Sequence, residues 1–404
     1  MIGLDDIRAA RERIADAIHH TPCIEAHALS AAIGVDLRLK LETFQRTGSF
    51  KARGAVNMLR ALSDERRQRG VVAASAGNHA QGVAYAAAIT GARALIVMPK
   101  ITPLIKIHRT RDLGGEVELS GVNFDEAYER AQALAHERGM TFVPAFDDDR
   151  VIAGQGTIGL ELLEQVPDLE AVVVPIGGGG VISGIATAVK SLAPGVTVYG
   201  VQTESAPAME RSFHEGRLVY VESRRSIADG ITIKRPAERT LELIRRHVDD
   251  VRLVTEEEIE TAIFELLQNA KVVVEGAGAA GLAAVLAGRF PELTGRRTAV
   301  VLCGGNIDLN ILSRIIERSL VRQNRLIQLA ITIRDTPGGL AGLLSLLAER
   351  EANVVHVHHE RRFGKSAFFE VQVHVSVETK SREHVEEILA ALDEAGYGRI
   401  QVMG

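Results

Sequence analysis

The chain has 404 residues, 46% of them hydrophobic and 25% charged, with a formal net charge of −5 at pH 7. That length suits two or three domains of ordinary globular composition. The balance of charge leaves no basic footprint for nucleic acid, no apolar run approaches a membrane span, and two cysteines, Cys23 and Cys303, build no disulfide framework.

Residues 1–20 read as an amphipathic helix on Ile7, Ile14 and Ile18. The acidic start, Met1 to Asp6, lacks the regions of a signal peptide, so a reducing cytoplasm is the expected compartment. A strand-like run at 37–41 then gives way to Gly48-Ser49-Phe50-Lys51-Ala52-Arg53-Gly54 and a helix. A lysine in a glycine-flanked segment between strand and helix is more than a surface charge. Once desolvated, its amine is a nucleophile able to form a Schiff base with an aldehyde cofactor.

The apolar run at 70–74 leads into Ser75-Ala76-Gly77-Asn78-His79 and a helix from 80 to 89. The N–H groups here, with the Ser75 and Asn78 side chains, suit a carboxylate or a phenolic oxygen. Capping of the helix by Ser75 or Asn78 is the competing reading, and His79 taken alone reads as structural. Further strands are expected at 94–98 and 171–176. The second of these delivers Gly177, Gly178, Gly179 and Gly180 to a helix starting near Val181. Backbone without side chains lets several N–H groups converge on one anion, and the helix terminus adds positive charge, so a phosphate monoester fits. A tight turn is the alternative.

After a strand at 196–201 comes Glu275-Gly276-Ala277-Gly278-Ala279-Ala280-Gly281, following the run Val272-Val273-Val274. It contains a literal G-x-G-x-x-G. A dinucleotide site also wants an acid at the end of the next strand, and that strand, 298–302, ends in Cys303-Gly304-Gly305-Asn306. Close helix–strand packing is the simpler account of these glycines. Cys303 reads as a nucleophile, as a weak hydrogen-bonding group under a cofactor ring, or as a plain buried cysteine.

Continuous apolar strands alternating with helices indicate an α/β fold with a mainly parallel sheet covered on both faces. After residue 321 the pattern becomes half-buried strands in the order βαββαβ: Ile327, Leu329, Ile331 and Ile333 alternate with polar neighbours, as do Phe369, Val371, Val373 and Val375. The division expected is a catalytic region at 1–320 with a smaller subdomain at about 47–150, a linker at 321–326, and a second domain at 327–404.

Taken together, the loops at 48–54, 75–82, 177–180 and 303–306 resemble those of the fold-type II pyridoxal-phosphate enzymes (tryptophan-synthase-β-like), specifically the threonine dehydratases with a C-terminal ACT domain. The resemblance covers nearly the whole chain and implies two open parallel-sheet domains plus a ferredoxin-like ACT domain. It implies pyridoxal 5'-phosphate as cofactor, with Lys51 as its attachment point and the mover of the α-proton. Phe50 stands beside it, Asn78 bonds the ring hydroxyl, Gly177 to Gly180 with Val181 cradle the phosphate, and Cys303 faces the ring nitrogen. Ser75, Asn78 and His79 bracket the substrate carboxylate. In the ACT domain, Asp335, Gly338 and Leu340 mark the regulatory turn.

The activity implied is β-elimination of L-threonine to 2-oxobutanoate and ammonia, with L-serine as a secondary substrate and isoleucine or valine as effector. Serine racemases of this fold carry a second serine where Ala76 stands. Alanine moves no proton, so elimination alone is expected. A homo-oligomer, dimer or tetramer, is expected, with no nucleic-acid or membrane partner. Serine or 3-hydroxyaspartate dehydration, β-replacement and a non-catalytic amino-acid sensor are the alternatives. No metal is expected: Glu204, Ala208 and Glu210 fall where some relatives bind a cation, but the two glutamates read as exposed carboxylates, and His356, His358, His359 and His374 read as solvent or interface residues.

Overall fold

The computed structural model describes residues 1–360, 369–398 and 400–403. The chain divides into two compact units, Met1–Asp308 and Leu309–Gly404.

The strands of the first unit are β1 (Cys23–Glu25), β2 (Asp36–Leu41), β3 (Val71–Ala74), β4 (Ala94–Met98), β5 (Glu116–Leu119), β6 (Thr141–Phe142), β7 (Ala171–Pro175), β8 (Thr197–Thr203), β9 (Asp250–Val254) and β10 (Arg297–Leu302). They form two sheets. The larger has the order β1-β2-β10-β7-β8-β9 and the smaller β5-β4-β3-β6. Every pairing is parallel except β1 with β2. All residues of β3, β4 and β7 are buried, as parallel strands covered by helices on both faces require. Each sheet has its own core, one around Val172, Val174, Ile182 and Val301, the other around Val71, Ala73, Ile96 and Met98. The glycine-rich and polar loops follow the carboxyl ends of β2, β3, β7 and β10, which is where open α/β sheets hold ligands.

Val272 to Val274 form no strand. They follow a π-helical turn, Leu266–Ala270, that ends in Lys271 at φ 59°. The helix Gly276–Leu286 after them is buried almost throughout. A Cβ on Gly276 would lie 2.4 Å from the Ile227 carbonyl oxygen, and one on Gly278 2.6 Å from that of Gly304. Close packing explains the G-x-G-x-x-G.

In the second unit, β11 (Leu326–Arg334), β12 (Asn353–Glu360), β13 (Glu370–Glu378) and β14 (Gln401–Met403) form an antiparallel sheet in the order β12-β13-β11-β14. With the helices Gly339–Glu349 and Arg382–Glu394 this is βαββαβ, over a core of Ile327, Leu329, Ile331, Val373, Val375 and Ile388. The stretch 321–326, expected as linker, is built differently. The helix Leu309–Arg322 runs through 322, carried by its buried Leu312, Ile315 and Ser319, and belongs to the second unit. The turn into β11 is made at 323–325 with Asn324 at φ 54°.

Candidate active site

Lys51 opens the helix Lys51–Arg60. The segment before it is stitched to the end of β10: the Phe50 N–H donates to the Cys303 carbonyl at 3.1 Å, Ser49 bridges Gly304, and the Gly305 N–H donates to the Gly48 carbonyl at 2.9 Å. The helix body is anchored by Arg53, which lies fully buried between two carboxylates. Its guanidinium donates to Glu42 Oε2 and Oε1, both at 2.8 Å, and to Glu161 at 2.6 and 2.9 Å. Lys40 joins the cluster at 2.6 Å from Glu161.

The Lys51 amine has no such partner. Its Nζ donates to the Ala145 carbonyl at 2.8 Å and lies 5.0 Å from the Phe50 ring centroid. Loss of solvent lowers its pKa to about 8, against smaller opposing effects of Cys303 and Glu275. More of it is therefore the neutral, nucleophilic amine near neutral pH than of an ordinary lysine. Burial pushes the Cys303 thiol far up, so it stays a neutral thiol.

Gly77, not Ser75 or Asn78, caps the helix Asn78–Thr90, with no side-chain cap bond. Ser75 Oγ accepts from the Gly77 N–H at 3.1 Å. The Asn78 side chain reaches the other way: its Nδ2 donates to Glu275 Oε1 at 2.6 Å, and its Oδ1 accepts from Asn306 Nδ2 at 2.7 Å. His79 is buried. Its Nε2 donates to the Val143 carbonyl at 2.9 Å, and burial, then Lys51, pushes its pKa down to about 3. Its ring is neutral and committed to backbone, which leaves its main-chain N–H in the helix's first turn for an anion.

The four glycines turn from β7 into the helix Gly180–Leu192 with Gly179 at φ 89°. A Cβ on Gly178 would fall 2.3 Å from the Phe146 ring, and one on Gly177 3.0 Å from the Gly230 carbonyl oxygen. The loop is thus pressed between Phe146 and the 3₁₀ turn Asp229–Ile231, and only glycine fits. The first-turn N–H groups through Val181 have no carbonyl one turn back, and they form the positive end of the helix dipole.

Elsewhere, Glu204 is exposed and Glu210 lies 3.6 Å from His214. His358 pairs with His374 across β12 and β13. Among the described residues no group of three or more His, Cys, Asp or Glu side chains is placed to hold a metal. In the second unit, the Asp335 N–H donates to the Phe369 carbonyl, Gly338 caps the helix Gly339–Glu349 at φ 88°, and Leu340 packs on the core.

The profile of the pyridoxal-phosphate dependent enzyme family matches residues 14–304, and that of the ACT domain residues 327–396. An L-threonine ammonia-lyase of Thermotoga maritima is 48% identical over 404 residues, all of both chains. One of Geobacter sulfurreducens is 44% identical, over 97% of each. The chain belongs to the pyridoxal-phosphate dependent threonine ammonia-lyases that carry an ACT domain. Among solved structures, the processed threonine deaminase isoform 2 of Solanum lycopersicum superposes with a TM-score of 0.75 at 39% identity, covering 78% of this chain and 91% of its own. Maize serine racemase gives 0.75 at 35%, covering 79% and 98%.

This ammonia-lyase uses pyridoxal phosphate, and the residues present fit it. A side-chain-free cradle of backbone donors for a phosphate lies at the carboxyl end of β7, and a desolvated amine for an aldehyde opens a helix beside the end of β10. Three contributors were missed in the sequence. Ala145 acts through its carbonyl, Phe146 through its ring against the glycines, and Glu275 through a bond to a residue 197 positions away. The acid immediately before the glycine run was the one visible hint of the last.

Proposed function

We propose that this ammonia-lyase converts L-threonine to 2-oxobutanoate and ammonia, and L-serine to pyruvate more slowly. The observation that carries this reading is the Lys51 amine, held at pKa about 8 with a carbonyl as its hydrogen-bond acceptor, in a chain 48% identical throughout to a threonine ammonia-lyase.

Pyridoxal phosphate, when bound, supplies an aldehyde carbon for attachment and a ring that withdraws electrons. Lys51 would be the attachment point, and its amine would take the proton from the substrate Cα. Gly177, Gly178, Gly179, Gly180 and Val181 would hold the phosphate through main-chain N–H groups, and Asn78 would donate to the ring oxygen with Phe50 beside it. Cys303 would face the ring nitrogen. Burial keeps it a neutral thiol, so it would offer that nitrogen a hydrogen bond and no ion pair. Ser75, Asn78 and the His79 N–H receive the substrate carboxylate. Ala76 offers no proton donor on the opposite side, so the product is a keto acid and not a D-amino acid.

The ACT domain supports amino-acid regulation, with isoleucine or valine read at the turn of Asp335, Gly338 and Leu340. The chain acts as a cytoplasmic homo-oligomer in this reading. The test is keto-acid release from L-threonine and L-serine in parallel, with and without isoleucine, and a chiral assay of residual serine. Faster 2-oxobutanoate release, altered by isoleucine, is expected. Pyruvate alone would move the assignment to a serine dehydratase, and D-serine would overturn the role given to Ala76.

A further inference from the structure

Glu275 is a buried acid at the centre of the site that the roles above do not use. Its carboxylate accepts from Asn78 Nδ2 at 2.6 Å and from the Asn306 main-chain N–H, while its own N–H donates to the Gly304 carbonyl at 3.0 Å. A Cβ on Gly304 would lie 2.5 Å from Glu275 Oε1, so glycine at 304 and the acid at 275 fit each other. Asn306 Nδ2 donates both to Asn78 Oδ1 at 2.7 Å and to the Thr47 carbonyl at 2.8 Å.

A side-chain amide can sit two ways round, and this chain of bonds permits one. Asn306 occupies the Asn78 oxygen. Glu275 takes one Nδ2 hydrogen. The second Nδ2 hydrogen is the donor left over.

We propose that Glu275 is a positioning residue of the elimination: with Asn306 it locks the Asn78 amide so that the remaining N–H is presented to the cofactor's ring oxygen. The inference rests on the role given to Asn78 above. It also makes the ring sensitive to a proton it never touches. Burial, then the neighbouring Asp229, raises the Glu275 pKa to about 7, against the bonds from Asn78 and Asn306 and the charge of Lys106. Asp229 and Lys106 pair with each other at 3.4 Å, and the Lys51 amine and Cys303 thiol also lie within electrostatic reach of Glu275. As pH rises through this value a negative charge appears behind Asn78, and the ring oxygen's hold on a proton changes with it.

The test is the visible absorbance of the bound cofactor in the holoenzyme, titrated from well below to well above neutrality, in the wild type, Glu275→Gln, Asn78→Ala and the double variant. The wild-type band is expected to shift with a midpoint of about 7. Glu275→Gln should show no such shift and match the low-pH limit of the wild type at every pH. Its kcat should fall about tenfold with KM little changed, the size of one impaired hydrogen bond to a charged group. In the Asn78→Ala background the glutamine should have no further effect. A Glu275→Gln band that titrates like the wild type, or a loss that adds in full to that of Asn78→Ala, overturns the inference. A band unchanged in Asn78→Ala overturns the Asn78 assignment and the inference with it. A band changed in Asn78→Ala beside one unchanged in Glu275→Gln overturns the inference alone. Should the glutamine variant not fold, a wild-type band flat across neutrality is enough to overturn it.

Discussion

Lys51 and Arg53 leave the first turn of one helix, and only Arg53 meets carboxylates. Arg53 is clamped by Glu42 and Glu161, which hold its pKa above the ordinary value despite burial, while the Lys51 amine donates to the Ala145 carbonyl and its pKa falls. The two cations divide the labour. One ties the helix to the 3₁₀ turn after β2 and to the helix Asp149–Gln165, and the other keeps an amine that no carboxylate binds.

The first prediction concerns the rate at which apoprotein takes up pyridoxal phosphate. Only the neutral amine attacks an aldehyde, and the Lys51 pKa is lowered to about 8. The rate of growth of the visible band should rise as pH rises through that value and then level off. A rate still climbing toward the ordinary lysine range would contradict the desolvated amine.

Removing one carboxylate from the buried cluster should be costly. Glu161→Gln leaves Lys40 and Arg53 undercompensated, and a broken buried pair costs about 3–5 kcal/mol in urea unfolding. The sign with pH follows from the Glu161 pKa. It is lowered in the fold: burial opposes this, and Arg53 and Lys40 overcome it. Its contribution is therefore present above the unfolded value and lost as pH falls through the folded one. Wild-type stability should decline on acidification, and the decline should be shallower in Glu161→Gln.

The glycine loop makes a third prediction. Gly178→Ala puts a Cβ 2.3 Å from the Phe146 ring, so the ring or the loop must move. Overpacking of this kind costs about 1–3 kcal/mol, and the Kd for pyridoxal phosphate should rise because the displaced backbone is the proposed phosphate cradle. Phe146→Ala added to Gly178→Ala should restore part of both losses. No rescue would mean that the strain lies elsewhere.

Much of this site was legible in the sequence because its chemistry resides in residue types at strand ends. A lysine, an asparagine and four glycines announce an amine, an amide and an anion cradle before any fold is known. The parallel sheets and the βαββαβ unit were legible too, since continuous and alternating apolar runs differ in period. Glu275 was absorbed into a glycine fingerprint because its partner, Asn78, reaches it only through tertiary structure. Ala145 contributes a carbonyl, which every residue has. Lys40, Glu42 and Glu161 carry no motif in the sequence, and only the fold closes them around Arg53. The stretch 321–326 was expected as a linker where the strand pattern changes, yet the stripe Leu312, Ile315 and Ser319 carries a helix into it.

The most direct test of the account is borohydride reduction of the holoenzyme followed by peptide mass spectrometry. The cofactor should be fixed to the peptide containing Lys51 and to no other, and Lys51→Ala should lose the label, the visible band and turnover. A label on another lysine, or turnover surviving in Lys51→Ala, would contradict it.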